Sequence, residues 1–330
     1  MSTDHNSLNG RNLADMRDIH RVVISGATSS IGTALIDECI GQGIEVLALV
    51  NKGSSKISLI PSSELITIIE CPLDEYSSLM NEEGAIRADT GPKYDAFFHL
   101  AWTSTSGDGA RDQIDNQITN IRYSVDAVDL AVRLGCRVFV GAGSQAEYGR
   151  TDEILTEQKQ CYPETAYGIA KLCAGQMTRL KCRQLGIDHI WPRILSGYGP
   201  NCQPHTIVDY TIRELLARRS PSLTECRQIW DFIYTEDIAR ALLLLSGKGR
   251  DQEIYVIGAG QSRVLKEYIE IIHGIINPDI PILYGQIEYG ENSVMHLACD
   301  ISKLREDTGF SPQTSFEEGV KKTIEWIQLD

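Results

Sequence analysis

The stretch RVVISGATSSIGTALI, Arg21 to Ile36, joins a β-branched run to a glycine turn and then to an apolar pattern of helical period. Such a joint aims backbone N–H groups and the positive end of a helix dipole at one point, where a pyrophosphate can sit. Gly26 supplies the tight turn, and Gly32 lets the helix approach the strand closely. Ser29 stands where a further glycine often sits, and its hydroxyl is an additional phosphate donor. Alone, the pattern also suits an ordinary strand–helix connection. Its surroundings decide between the two.

RVVIS, IEVLALV, LITIIE, DAFFHLA, RVFVGAG and IDHIWPRI are the expected strands of the first part of the chain. Their nearly continuous apolar runs fit parallel strands covered on both faces. GTALIDECIGQG, DQIDNQITNIRYSVDAVDLAVRLG and ETAYGIAKLCAGQMTRLKCRQLG are expected helices, each ending in glycine. The alternation predicts an α/β fold, a Rossmann-type doubly wound parallel sheet with a smaller C-terminal substrate-binding lobe. Residues 1–18 read as a flexible tail and 19–195 as the dinucleotide-binding domain. Later segments at about 228–262 return to that domain, leaving 196–227 and 263–330 for the substrate lobe. In those later parts TIVDYTIRELLARR, TEDIARALLLLS and RVLKEYIEIIHGII read as helices, while QIWDFIY and EIYVIG read as strands.

A formal net charge of −14 over 330 residues argues against a nucleic-acid surface, which needs clustered lysine and arginine. No apolar segment is long enough to span a bilayer, and the polar start lacks the apolar core of a signal peptide. Nine cysteines without a C-x-x-C pair suit free thiols in a reducing compartment and give no metal-ligand spacing. The expectation is a cytoplasmic protein without a metal, a membrane or a nucleic acid as partner.

At the end of the second expected strand, an NAD-binding chain would offer a carboxylate to the adenosine ribose. This chain offers Asn51 and Lys52, followed by Ser54, Ser55 and Lys56. A cation and hydroxyls attract a 2′-phosphate, so the loop leans to NADP(H), with NAD(H) as the alternative. Tyr167 and Lys171 stand at i and i+4 on one helix face. An ammonium beside the phenol is expected to lower the tyrosine pKa toward working pH. Ser144, at the end of RVFVGAGS, is placed to hydrogen-bond the carbonyl oxygen that Tyr167 would protonate. His99, inside FFHLA, reads as a packed core histidine.

With these residues in view, the chain resembles the extended short-chain dehydrogenase/reductase family, in its nucleotide-sugar epimerase, dehydratase and reductase branch. SGATSSIG is similar to T-G-x-x-G-x-x-G, DAFFHLAW to D-x-V-x-H-L-A-A, SQAEYG to S-x-x-x-Y-G, and YGIAK to Y-x-x-x-K. PRILSGYGP, WDFIYTEDIARAL, YVIGAG and DISKLREDTGFSP continue the resemblance in the family order. It implies the catalytic set Ser144, Tyr167 and Lys171, with Asn120 in support. For the cofactor it implies Gly26, Thr28, Ser29, Ser30, Ile31 and Gly32 in the first turn. Asn51, Lys52, Leu73, Leu100 and Ala101 follow, with Tyr167 and Lys171 at the nicotinamide end. The substrate contacts implied are Ser144, Gln145, Arg193, Ser196 and Trp230. The helices around 112–134 and 164–185 are expected to form a four-helix homodimer interface.

The departures narrow the reaction. Dehydratases of the branch follow the catalytic serine or threonine with acids, whereas this chain has Gln145 and Ala146. Without a carboxylic acid there, elimination lacks its general acid. Glu147 comes one position late and is expected to point to the opposite face. Ser196 replaces an asparagine and Trp230 an arginine, so Arg193, Arg213 and Arg227 become the candidates for the diphosphate. The sequence therefore points to an NADPH-dependent reductase of a nucleotide-linked 4-keto sugar. An NAD-dependent 4-epimerase is the competing enzyme, and a non-catalytic dinucleotide-binding sensor or scaffold is the competing binding module.

Overall fold

The computed structural model describes residues 16–76, 79, 93–105, 109–202 and 206–329. The first fifteen residues of the expected tail lie outside the described residues. Arg17, by contrast, is docked: its Nε donates to Asp188 Oδ2 at 2.8 Å and its Nη1 to the carbonyl of Gly249 at 3.0 Å.

The strands are β1 (Arg21–Ser25), β2 (Glu45–Val50), β3 (Ile66–Glu70), β4 (Ala96–His99), β5 (Val138–Gly141), β6 (Gly143–Ser144), β7 (Asp188–Ile194), β8 (Ser196–Tyr198), β9 (Ile229–Trp230), β10 (Phe232–Tyr234), β11 (Glu253–Ile257), β12 (Arg263–Val264) and β13 (His296–Leu297). The helices are α1 (Ser30–Gly41), α2 (Ile114–Arg133), α3 (Ala166–Leu185), α4 (Ile207–Leu216), α5 (Thr235–Lys248), α6 (Leu265–Ile276), α7 (Ser302–Thr308) and α8 (Phe316–Leu329). The main sheet runs β11-β7-β5-β4-β1-β2-β3, with β6 paired to β7. Its ladders are parallel; Val22, for instance, lies between Val46 of β2 and Ala96 of β4.

Strand periodicity explains the layers. Val22 and Ile24 enter one apolar core with Ala96, Phe98, Val138 and Val140, against α1 and α5. The alternate residues Val23, Phe97 and Phe139 enter a second core on the opposite face, with Ala127, Val128 and Ala131 of α2. Gly43, Gly135 and Gly186 follow α1, α2 and α3 with φ of +73°, +81° and +70°, so each expected terminal glycine takes the left-handed conformation that ends a helix.

Of the segment 228–262, β11 forms the edge of the main sheet and α5 lies beside α1, whereas β9 belongs to a separate sheet of order β12-β9-β13. A third core, around Tyr198, Ile212, Phe232, Tyr268 and Phe316, fills the smaller lobe. Helix α6 begins two residues later than its apolar pattern suggests, because Arg263 and Val264 pair with Trp230 and Ile229. The sheet order reverses between β1 and β4, which opens a crevice at the carboxyl ends of these strands, where α/β sheets take ligands.

Candidate active site

The glycine loop is shaped for a dinucleotide. Gly26 has φ +72°, and a Cβ there would meet the Ala101 nitrogen at 2.7 Å. A Cβ on Gly32 would meet the Gly26 carbonyl oxygen at 2.3 Å. Ser29 is the N-cap of α1, its Oγ accepting from Gly32 N at 3.0 Å. The hydroxyl thus first serves the helix, and its own proton stays free to donate. Ser30 and Ile31 form the first helical turn, whose N–H groups find no partner within the helix itself. Leu100 follows β4, its N–H donating to Ser25 O at 3.2 Å, and Ala101 closes against Gly26. Leu73 is buried in the second core. A phosphate-bearing dinucleotide therefore fits this loop.

At the end of β2, Asn51 occupies the position of the usual carboxylate, but Lys52 is not open as expected. Its ammonium is bound to Glu75 Oε1 at 2.5 Å. Glu75 comes from the segment after β3, and only the parallel register of β2 and β3 brings it near. Lys56 donates to Asn201 Oδ1 at 3.0 Å, and Asn201 Nδ2 donates to the Thr28 carbonyl at 2.9 Å.

The expected catalytic trio is brought together. Thr165 caps α3 by accepting from Gly168 N, which places Tyr167 and Lys171 on the face turned toward β6. The Ser144 side chain lies close enough to the Tyr167 phenol to oppose the rise in its pKa, and Lys171 Nζ donates to the Ala142 carbonyl at 2.8 Å. The expected fall in the tyrosine pKa is corrected by the structure. Burial pushes the Tyr167 pKa up, opposed by the Ser144 side chain and the Arg111 charge. Lys171 is directed to a carbonyl and lies 5.8 Å from the Tyr167 ring centre, whereas the Arg111 guanidinium lies 5.0 Å from it. Burial draws the Lys171 pKa down to about 7, with Glu147 opposing. Arg111 and Trp102 are the neighbours that the sequence reading missed. Both lie near the loop after β4, and no motif spacing marks them.

Four expected site residues have other roles or partners. Asn120 is 1 % exposed and bound to Thr103: its Oδ1 accepts from Thr103 N at 3.0 Å and its Nδ2 donates to Thr103 O at 3.0 Å. It pins the loop after β4 through Thr103. Arg193 is 3 % exposed, its Nε donating to Glu147 Oε2 at 2.8 Å, so its charge is already paired in the interior. The other two arginine candidates also have carboxylate partners, Asp209 for Arg213 and Glu225 for Arg227. Ser196 and Trp230 are joined, Nε1 donating to Oγ at 2.8 Å.

Gln145 and Ala146 lie half-buried in a single 3-10 turn after Ser144. Glu147 does turn away from the reaction centre, but through this turn rather than by strand alternation. It is fully buried, and its Oε1 accepts from Ser144 N at 2.8 Å and Trp191 Nε1 at 3.0 Å. His99 is a core histidine, as its surroundings imply: Ser25 and Ser124 hydroxyls flank its ring nitrogens at 3.0 and 3.2 Å, and burial lowers its pKa to about 3.

Comparison with known proteins agrees with this geometry. The model of the NAD dependent epimerase/dehydratase family matches residues 22–258. The chain belongs to this family. A dTDP-glucose 4,6-dehydratase of Escherichia coli is 26% identical, with 93% of each chain covered. A putative UDP-glucose 4-epimerase of Methanocaldococcus jannaschii is 25% identical, over 93% of this chain and 98% of that one. Among solved structures, the UDP-glucose 4-epimerase of Thermotoga maritima has a TM-score of 0.80 at 23% identity, covering 94% of this chain and 99% of the other. The Bordetella bronchiseptica enzyme WbmG in complex with NAD has a TM-score of 0.78 at 18% identity, covering 94% and 95%. These likenesses establish the Rossmann-type fold, and the family match establishes the enzyme class. Among the described residues, no helix is long and apolar enough to cross a membrane.

Proposed function

We propose that this family member is a cytoplasmic NADPH-dependent reductase of a nucleotide-linked 4-keto sugar, serving deoxysugar or modified-heptose biosynthesis. The observation that carries the reading is the approach of the Ser144 side chain to the Tyr167 phenol, one helical turn from Lys171, in a site where Gln145 and Ala146 stand in place of the acids of elimination. Ser144 would hydrogen-bond the keto oxygen, and Tyr167 would deliver a proton to it. A tyrosine held above its ordinary pKa by burial starts in the protonated form, which reduction needs. The Lys171 charge would stabilise the phenolate left behind and hold a ribose hydroxyl. The nicotinamide supplies the hydride when bound.

The preference for NADPH rests on Asn51 in place of a carboxylate, with Lys52 and Lys56 nearby. The Lys52–Glu75 pair is exposed on both sides, and such pairs hold weakly enough to exchange for a phosphate. Glu75 equally supports the second reading, a 4-epimerase with retained NAD, since a carboxylate near the ribose disfavours a 2′-phosphate. A homodimer through α2 and α3 is part of the proposal. Ile114, Ile118, Ile169, Met177 and Leu180 are exposed apolar residues on these helices, and sedimentation of the purified protein tests it. The function itself is tested by incubating the protein with NADPH and 4-keto-6-deoxy sugars linked to dTDP, CDP, GDP or UDP. Oxidation of one NADPH per sugar supports the reading, and release of water from an unmodified nucleotide hexose overturns it.

A further inference from the structure

Lys171 is 4 % exposed, and a buried ammonium needs partners for its three N–H groups. One of them donates to the Ala142 carbonyl at 2.8 Å. The nitrogen also lies 3.7 Å from the centre of the Trp102 ring, well inside the range of a cation–π contact. A π-face thus stands where a second hydrogen-bond acceptor would otherwise be required. The same indole meets the Tyr167 ring edge-on, with centroids 6.0 Å apart and planes at 84°. One side chain therefore touches both groups of the Tyr-Lys pair.

Trp102 is itself fixed. Its Nε1 donates to Gln117 Oε1 at 2.9 Å. Gln117 is 1 % exposed, and its amide donates to the carbonyls of Ser104 at 3.1 Å and Ala110 at 3.3 Å. Helix α2 thereby sets the angle of the indole, while β4 sets its position. The motif that DAFFHLAW resembles has alanine at this place, so the arrangement belongs to this chain rather than to the pattern.

We propose that Trp102 is a positioning residue: its indole face holds the Lys171 ammonium between the Ala142 carbonyl and the Tyr167 ring, leaving the third N–H for a ribose hydroxyl, and Gln117 orients the indole. The proposal rests on the reading of Lys171 as part of the reaction centre. Its consequence is that a ring, rather than mere bulk, is required at this position.

Trp102→Phe and Trp102→Leu separate ring from bulk. Cofactor affinity is measured by calorimetry, turnover with a 4-keto nucleotide sugar, and folding by circular dichroism. Trp102→Leu should lose about tenfold in NADPH affinity and a similar factor in kcat, with sugar KM within about twofold, whereas Trp102→Phe should recover most of the loss. A Leu variant that binds NADPH like the wild type, or a Phe variant no better than Leu, overturns the proposal. A second arm needs no Leu variant. Lys171→Met should change tryptophan emission in the otherwise native chain and leave emission unchanged in the Trp102→Phe chain. Emission indifferent to Lys171→Met overturns it as well. Both the affinity and the emission arms read out even if the wild type reduces no keto sugar, an outcome that sinks the proposed reductase alone.

Discussion

Arg193→Met should act on folding before it acts on binding. Arg193 and Glu147 form an ion pair whose side chains are 3% and 0% exposed. Removing the guanidinium leaves a carboxylate in the interior that keeps the Ser144 and Trp191 N–H groups but loses its paired cation. Breaking a buried pair in this way costs about 3–5 kcal/mol. A chain of 330 residues has an unfolding entropy of about 0.7 kcal/mol per kelvin at roughly 2.1 cal/mol/K per residue, so Tm should fall by about 4–7 °C. Glu147→Gln/Arg193→Met removes both charges and should recover much of that loss, because the penalty lies in the uncompensated partner. Scanning fluorimetry at one protein concentration, beside calorimetric titration with nucleoside diphosphates, measures both effects. An Arg193→Met protein with native Tm and weakened diphosphate binding would refute this reasoning and return Arg193 to the substrate site.

Gly32→Ala should lower dinucleotide affinity by at least about tenfold, since the new Cβ is driven into backbone and overpacking costs ~1–3 kcal/mol; equilibrium binding of NADPH measures it. Asn120→Leu should destabilise the protein by about 1–3 kcal/mol through unpaired Thr103 backbone groups, read by denaturant titration, without the collapse of turnover that loss of a proton donor gives. His99 and His189 are both held by burial at about 3, below the ordinary value of 6.5. Their folded pKa values are depressed, so their contribution is full above 6.5 and is lost as pH falls toward about 3; near pH 5.5 each should have cost about 1.4 kcal/mol. Denaturant melts at about pH 8 and about pH 5.5 check this, and His189→Gln should flatten the acid side of the curve.

The sheet was legible because its central strands β1, β2, β4, β5 and β7 are largely buried on both faces and carry no conflicting signal, whereas the edge strand β3 leaves Ile68 40% exposed. Val22, Ile24, Phe97 and Val140 announce their layer by type and period alone. The Ser144, Tyr167 and Lys171 cluster was legible because one helical turn fixes Tyr167 against Lys171. What the sequence concealed depends on contacts between distant segments. Glu75 reaches Lys52 across the β2–β3 register, and Glu147 captures Arg193 across β6 and β7. The reversed tyrosine shift has the same origin, since spacing shows that a lysine is near but not that Ala142 and Trp102 claim its ammonium.

The central claim is that Tyr167 donates the proton in reduction of a nucleotide-linked keto sugar, and the most direct measurement is NADPH oxidation by wild type and Tyr167→Phe with the same 4-keto sugar. The account predicts stoichiometric oxidation by the wild type, little NAD carried through purification, and a loss of at least about a hundredfold in kcat for Tyr167→Phe with cofactor affinity retained. Near-native turnover by Tyr167→Phe, or tightly held NAD with two sugars interconverted and no net NADPH consumed, would contradict it.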